Sequence, residues 1–595
     1  FSGPLPAYLG SLVKLEYIDL SYNLFRGSIP HSFGNWTKLL AINLGDNSVS
    51  GTIPDALCKL TMMSDLHLYN NSLSGPLHQC LVNFTRMDLY DISGNHLTGT
   101  LPDFSAMTIL TDLWIYDNDF EGPISESIYS LARLQNLEFY SNGLTGTISD
   151  NIGQLHDMQI LAMFNNSLTG TLPASVCNLT LTEYFYVSTN HLQGTVPACV
   201  WNNMSHLNIL DIHENHFSGS IPHVTGNISL LQYVVLYDNS LTGTIPPSFG
   251  NLTRLREFQV QENKFSGSLN DVFVPHNQRA LTTIQVNNNQ FTGTLPREIF
   301  QLKSLVTFVA VDNCFHGALP DTICHGTALE SLVLDGLSSA ESCRDPLLPG
   351  LSASYTTRRT VYGTVPACLF EVHSLTTLHL SGNGLTGTLP AAARINNALV
   401  DLTLSHNRLT GSIPDNFQTR QWFNIDLSYN RISGTLHDNF STSMLNFAVL
   451  DAYATRFGLN AMNYTLNPTL FVENNRLSGK IPGVLVNRVN ISMLGTNVFS
   501  CRLDRSDVPN SDPGKPQYQC DSQSFDVPYY VWLGMLFAIL CVVLVVLARQ
   551  YTLTSESSEW MQTSVATARR WVGATSTAGA VSNVFEVLRK VRDIA

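Results

Sequence analysis

Leu241-Thr242-Gly243-Thr244-Ile245-Pro246-Pro247-Ser248-Phe249-Gly250-Asn251-Leu252 is one copy of a phrase that fills most of this 595-residue chain. Its core is Asn-x-Leu-x-Gly-x-Ile-Pro, opened here by Asn239. The same Asn returns from Asn23 through Asn313, then at Asn383, Asn407, Asn430 and Asn475. The step is usually 24 residues, with slips between 23 and 26. Two longer gaps, Asn313 to Asn383 and Asn430 to Asn475, read as hiding degenerate units. The Gly marks 19 clear repeats, and weak units near Glu341 and Gly458 bring the expectation to about 21.

Each letter has a physical role. Upstream of each Asn runs an alternating stretch such as Leu66-His67-Leu68-Tyr69. Period-2 alternation predicts a short strand with one buried face. The Asn amide bonds backbone at the turn, which an apolar side chain does not do. The Gly allows a tight bend, and Ile-Pro imposes an extended segment after it. One such unit is too small to bury its own apolar face, so stacked units share a continuous core in a curved solenoid.

That phrase, with Leu409-Thr410-Gly411-Ser412-Ile413-Pro414, resembles the plant-type leucine-rich repeat. The subclass occurs in plant receptor-like kinases and receptor-like proteins, and in protist surface antigens. The resemblance covers roughly residues 1–500. It implies a leucine-rich-repeat solenoid, with parallel β-structure on the concave face and an irregular or 3-10 helical convex side. It does not imply a ligand, because the matching framework residues are those that touch none. Residues 335–362 lose the pattern. Insertions of this kind help hold ligand in some plant receptors, and a decayed repeat is the other reading. Residues 441–470 read as decayed repeat as well.

Charged residues make up 13% of the chain and the net charge is −14. Without clustered basic residues, nucleic acid is excluded as a partner. Cys58 and Cys80 sit at fixed offsets after Gly51 and Gly75, and Cys177 and Cys199 repeat those offsets after Gly170 and Gly194. Stacked repeats would set each pair side by side, predicting Cys58–Cys80 and Cys177–Cys199, with buried free thiols as the alternative. Cys324 shares the first offset, with Cys343 or Cys368 as its partner, and Cys314 is left open. Cys501 and Cys520 follow the last repeat and predict a disulfide-closed cap. Paired cysteines place the array in an oxidising compartment. Sequons at Asn35, Asn178, Asn227 and Asn251 fall in the outer segment of their repeats and are the expected glycosylation sites.

Residues 529–547 carry no charge and are long enough to cross a bilayer core of about 30 Å. Tyr529, Tyr530 and Trp532 suit one interface, and Arg549 closes the other end. Sequons precede this stretch, while Arg549, Arg569, Arg570, Arg589, Lys590 and Arg592 follow it. The expectation is a single-pass plasma-membrane protein with one transmembrane α-helix, repeats outside and the C-terminus inside. The predicted order is an array at 1–497, a disulfide cap and juxtamembrane stalk at 498–528, the span at 529–548 and a cytoplasmic tail at 549–595. The chain starts inside a repeat at Phe1-Ser2-Gly3-Pro4, which reads as a fragment lacking its signal peptide and N-terminal cap.

Catalytic motifs are missing. Gly382-Asn383-Gly384-Leu385-Thr386-Gly387 fits GxGxxG but is only the repeat phrase, and His213-Glu214-Asn215-His216 has the wrong spacing for a zinc protease. The short tail holds no kinase signature. The reading is therefore no enzyme, no cofactor and no metal. Variable strand positions give a concave aromatic band of Trp114, Tyr116, Tyr140, Phe164, Tyr184, Tyr186, Tyr233 and Tyr237, bordered by Asp112, Glu138 and Asp211. Exposed aromatics in a column suit recognition. The expected function is a receptor-like surface protein binding an extracellular peptide, glycan or protein there. It would sit in the lipid bilayer and signal through a co-receptor. The alternative is a glycosylated coat or adhesion protein whose array is mainly structural.

Overall fold

The computed structural model describes residues 1–223, 228–340, 343, 345–346, 356–357, 360–441, 469–488, 490–502, 504–520 and 532–546. The chain divides into a unit from Phe1 to Tyr518 and a second from Gln519 onward. In the first, the alternating stretch before each Asn forms a three-residue strand such as Asp112–Trp114. Its middle residue points inward, and Leu113, Leu137, Leu161 and Phe185 are fully buried. Among the described residues nineteen short strands of this row run parallel in strict register, Leu113 opposite Leu137 and Leu137 opposite Leu161. The sheet is open. Tyr17–Asp19 at one end pairs with Ala41–Asn43, and Ile491–Ser492 at the other pairs with Thr469–Phe471.

The Leu-x-Gly phrase makes a second row of short parallel strands, as where His216–Ser220 pairs with Ser240–Gly243. Gly243 sits there at φ +81°, a conformation L side chains rarely adopt. Extended Pro246 (φ −66°, ψ 138°) then precedes a 3-10 turn at Pro247–Asn251. These turns form the convex side.

The Asn is a ladder rung between repeats. Asn118 donates through Nδ2 to the carbonyls of Ile92 (3.0 Å), Ile115 (3.3 Å) and Tyr116 (3.1 Å), and its Oδ1 accepts the Leu97 N–H at 3.0 Å. Asn215 and Asn289 repeat the pattern. The residue before the Asn is left-handed, with Asp117 at φ 50° and Asp238 at φ 51°. The turn keeps its hydrogen bonds nonetheless, since Asp117 N–H donates to Tyr140 O at 3.0 Å.

Neither long gap adds a strand to the concave sheet among the described residues. Ser331–Val333 pairs directly with Thr377–His379, and Asn424–Asp426 directly with Thr469–Phe471. Ladder bonds jump the gaps too, Leu337 N–H to Asn383 Oδ1 (3.1 Å) and Ile432 N–H to Asn475 Oδ1 (3.0 Å). The ends of 335–362 stay in the stack, where the Leu337 carbonyl accepts the Phe315 N–H and Val361–Tyr362 pairs parallel with Gly317–Ala318 in the second row. Between those ends, Asp345–Pro346 pairs antiparallel with Thr356–Thr357. Glu341 and Gly458, the expected weak units, lie outside the described residues.

Disulfides Cys58–Cys80 and Cys177–Cys199 stitch neighbouring convex turns, each with Cα atoms 5.5 Å apart. Cys324 pairs with Cys368 across residues 335–362, which settles its open partner. Cys314 pairs with Cys343, inside that segment. Cys501 and Cys520 are each disulfide-bonded. Past the last strand, the Tyr518 hydroxyl accepts the Phe499 N–H (2.6 Å) and donates to Asn497 O (2.9 Å). Buried Asp512 accepts the N–H groups of Met493 and Leu494. These bonds close the end of the stack, whose edge would otherwise leave backbone groups unpaired.

In the second unit, residues 532–546 form a charge-free helix whose side chains are exposed. Among the described residues no helix is long and apolar enough to cross a membrane. The rest of the expected span, 529–531 and 547–548, lies outside the described residues.

Candidate functional site: the concave aromatic band

Register turns variable positions into rows. The first strand positions line up Asp112, Asn136, Ile160, Tyr184, Ile209 and Tyr233. The third positions line up Trp114, Glu138, Ala162, Tyr186, Asp211 and Val235. Two residues farther on come Tyr116, Tyr140, Phe164, Ser188, His213 and Tyr237. In-register parallel strands lie about 4.8 Å apart, close to ring-stacking distance.

The last row stacks accordingly. Tyr116 and Tyr140 lie 4.4 Å apart at 7°, and Tyr140 and Phe164 4.2 Å apart at 9°. Small, buried Ser188 interrupts the column. Phe164 there meets Tyr186 edge-on at 6.1 Å, and Tyr184 lies 6.4 Å from Tyr186. Stacking resumes between His213 and Tyr237 at 4.2 Å. The expected continuous band is thus two stacks, and its rings are half-buried by one another where the sequence suggested full exposure. Mutual stacking covers the faces and leaves ring edges and hydroxyls outward. Burial pushes the Tyr116 and Tyr140 hydroxyls up, and it raises those of Tyr186 and Tyr237 to about 12, so all stay protonated donors at neutral pH.

The bordering acids differ in availability. Asp112 accepts from Asn136 Nδ2 (2.5 Å) and Thr111 Oγ1 (2.7 Å), and Asp211 lies 2.5 Å from His213 Nδ1. The Glu138 carboxylate has no hydrogen bond among the described residues. Burial raises its pKa, and the charges of Asp91 and Asp112 add to that. Beside it in register, buried Trp114 Nε1 lacks a hydrogen-bond partner. An unused donor and an unused acceptor thus sit side by side next to the Tyr116–Tyr140–Phe164 stack.

Asn35, Asn178 and Asn251 each end a convex 3-10 turn and are exposed, far from this face in the repeat. Asn227 lies outside the described residues. Sequence reasoning missed His213 as a stacking member. It also passed over a pocket around His379. The positions two and four before Asn383, Asn407 and Asn430 held that signal.

A family model described as Leucine Rich Repeat matches residues 14–36, 230–252, 374–394 and 398–419. These are leucine-rich repeats. Their array is similar to the plant peptide hormone receptor RGFR1 in complex with RGF2, at a TM-score of 0.68 and 26% identity, covering 84% of this chain and 77% of that one. It is also similar to the PEPR1–AtPEP1 crystal structure, at a TM-score of 0.51 and 25% identity over 85% of this chain and 80% of that one. The Arabidopsis receptor kinase HAESA, in complex with the peptide hormone IDA and the co-receptor SERK1, shares the fold at a TM-score of 0.61 and 24% identity, with 86% and 88% covered. No curated protein matches the sequence.

Proposed function

We propose that this leucine-rich-repeat protein is a cell-surface receptor-like protein that binds an extracellular polypeptide along the Trp114–Tyr237 band. The observation that carries the reading is the unpartnered Trp114 Nε1 in register with the unpartnered Glu138 carboxylate, beside stacked rings. A glycan rests on open ring faces, and here stacking covers those faces. A peptide offers alternating N–H and C=O groups, which suit one buried donor, one acceptor and a row of tyrosine hydroxyls. Solved structures of similar fold hold peptide hormones, one with a co-receptor, which supports the same class of ligand and a co-receptor here. The exposed charge-free helix at 532–546 and the basic residues after it support a single-pass anchor in the lipid bilayer, with the array outside and glycans on the convex row. Signalling then passes through the partner.

The test displays the full chain on cells and screens an extended-peptide library beside a neutral oligosaccharide array. Peptide hits that weaken at least about tenfold in a W114A/Y140A/Y186A variant are expected. Unchanged peptide binding in that variant, or oligosaccharide binding alone, sinks the reading.

A further inference from the structure

Farther along the same sheet lies a second concavity of about 520 Å³. We infer that it binds a guanidinium group, as carried by an arginine of an extracellular partner. Its lining includes Asp312, Asp335 and Asp426, with Thr403, Ser405 and His379, and no Lys or Arg among the described residues. The carboxylates converge because the strands that carry them or precede them are direct neighbours in the concave sheet. Val333 is set directly beside His379, and His379 beside Thr403.

His379 faces two acids directly. His379 Nδ1 is 3.6 Å from Asp335 Oδ2, and its Nε2 is 3.0 Å from Asp401 Oδ1. His406 also lines the pocket, so three lining carboxylates, with Asp401 behind His379, face two imidazoles, and the acids outnumber the cations even with both rings protonated. Asp426 accepts the N–H and hydroxyl of Ser428 on Oδ1 at 2.9 and 2.6 Å, and no described residue hydrogen-bonds its Oδ2.

The second observation is independent of charge. Thr403 is 9% exposed, lines the pocket, and its Oγ1 has no hydrogen-bond partner. Buried hydroxyls are nearly always paired, so an idle one in a pocket wall marks a missing partner. No three His, Cys, Asp or Glu among the described residues converge as metal ligands do, which favours an organic cation. Guanidinium offers five N–H donors in a planar fork, enough to reach spread carboxylates and a hydroxyl together. The pocket shares no residue with the aromatic band, so the two proposals stand separately.

The experiment titrates the full chain with Nα-acetyl-arginine amide and, as the uncharged control of similar shape, Nα-acetyl-citrulline amide. The arginine probe is expected to bind and the citrulline probe to fail. Asp426→Asn should weaken arginine binding about tenfold. Thr403→Val, which removes the hydroxyl and keeps the side chain's shape, should weaken it about threefold with thermal unfolding unchanged or raised. W114A/Y140A/Y186A should bind the probe as the parent does. If Asp426→Asn does not fold, Thr403→Val decides. No arginine binding at about 10 mM probe, equal citrulline binding, or undiminished binding in the folded variants overturns the proposal.

Discussion

The main-chain carbonyl of Leu337 accepts the Phe315 N–H at 2.8 Å. One repeat earlier the same place is filled by Asn313 Oδ1, which accepts the Phe291 N–H at 3.0 Å. The ladder thus continues through a position where the sequence has lost its Asn. Gly336, at φ 56°, keeps the left-handed turn that precedes the ladder position in other repeats, such as Asp312 at φ 49°.

Exchanging the two residue types should be costly in both directions. Asn289→Leu strands the Phe265 N–H and the carbonyls of Val260 and Val286 in the core. A loss of at least about 3 kcal/mol is expected. Leu337→Asn buries an amide where the backbone already bonds, at a cost of about 1–3 kcal/mol. Denaturant unfolding of both variants checks this, and a stabilised Leu337→Asn would contradict the account.

The 335–362 segment makes a covalent prediction. Peptide mapping without reduction should return Cys314–Cys343 and Cys324–Cys368. Recovery of Cys324 joined to Cys343 would mean that the segment is threaded differently. Replacing both Cys314 and Cys343 with Ser should lower stability by about 2–4 kcal/mol.

His379 makes stability depend on pH. Burial alone would lower its pKa, but hydrogen bonds and charge from Asp335 and Asp401 outweigh burial and push it up to about 9, from an ordinary 6.5. A raised value in the folded state means stabilisation that is complete below pH 6.5 and lost as pH climbs to 9. The loss should be on the order of 2–3 kcal/mol for this mostly buried ring. Unfolding curves from pH 6 to 9.5 should show the decline in the parent and a flatter profile in His379→Gln.

Tyr140 stacks on both sides, so its ring and hydroxyl separate cleanly. Tyr140→Phe should leave stability within about 0.5 kcal/mol. Tyr140→Ala opens the stack between Tyr116 and Phe164 and should cost about 1–3 kcal/mol. Equal melting temperatures for the two variants would show that the stack contributes nothing.

The repeat phrase alone determined the solenoid, the inward Leu rows, the ladder Asn and the first two disulfides. A 24-residue period repeats each environment, so one unit's physics serves for all. Tertiary structure decided what happens where the period fails. Periodicity does not show which strands meet across 335–362, and only the fold paired Ser331–Val333 with Thr377–His379 and chose Cys368 for Cys324. The aromatic residues were legible as a list, but their stacking depended on ring distances set by register and on the gap at Ser188. The pocket around His379 joins acids on either side of that segment. Linear spacing hides that contact, because the segment between Asp335 and His379 contributes no strand to the concave sheet before Thr377–His379.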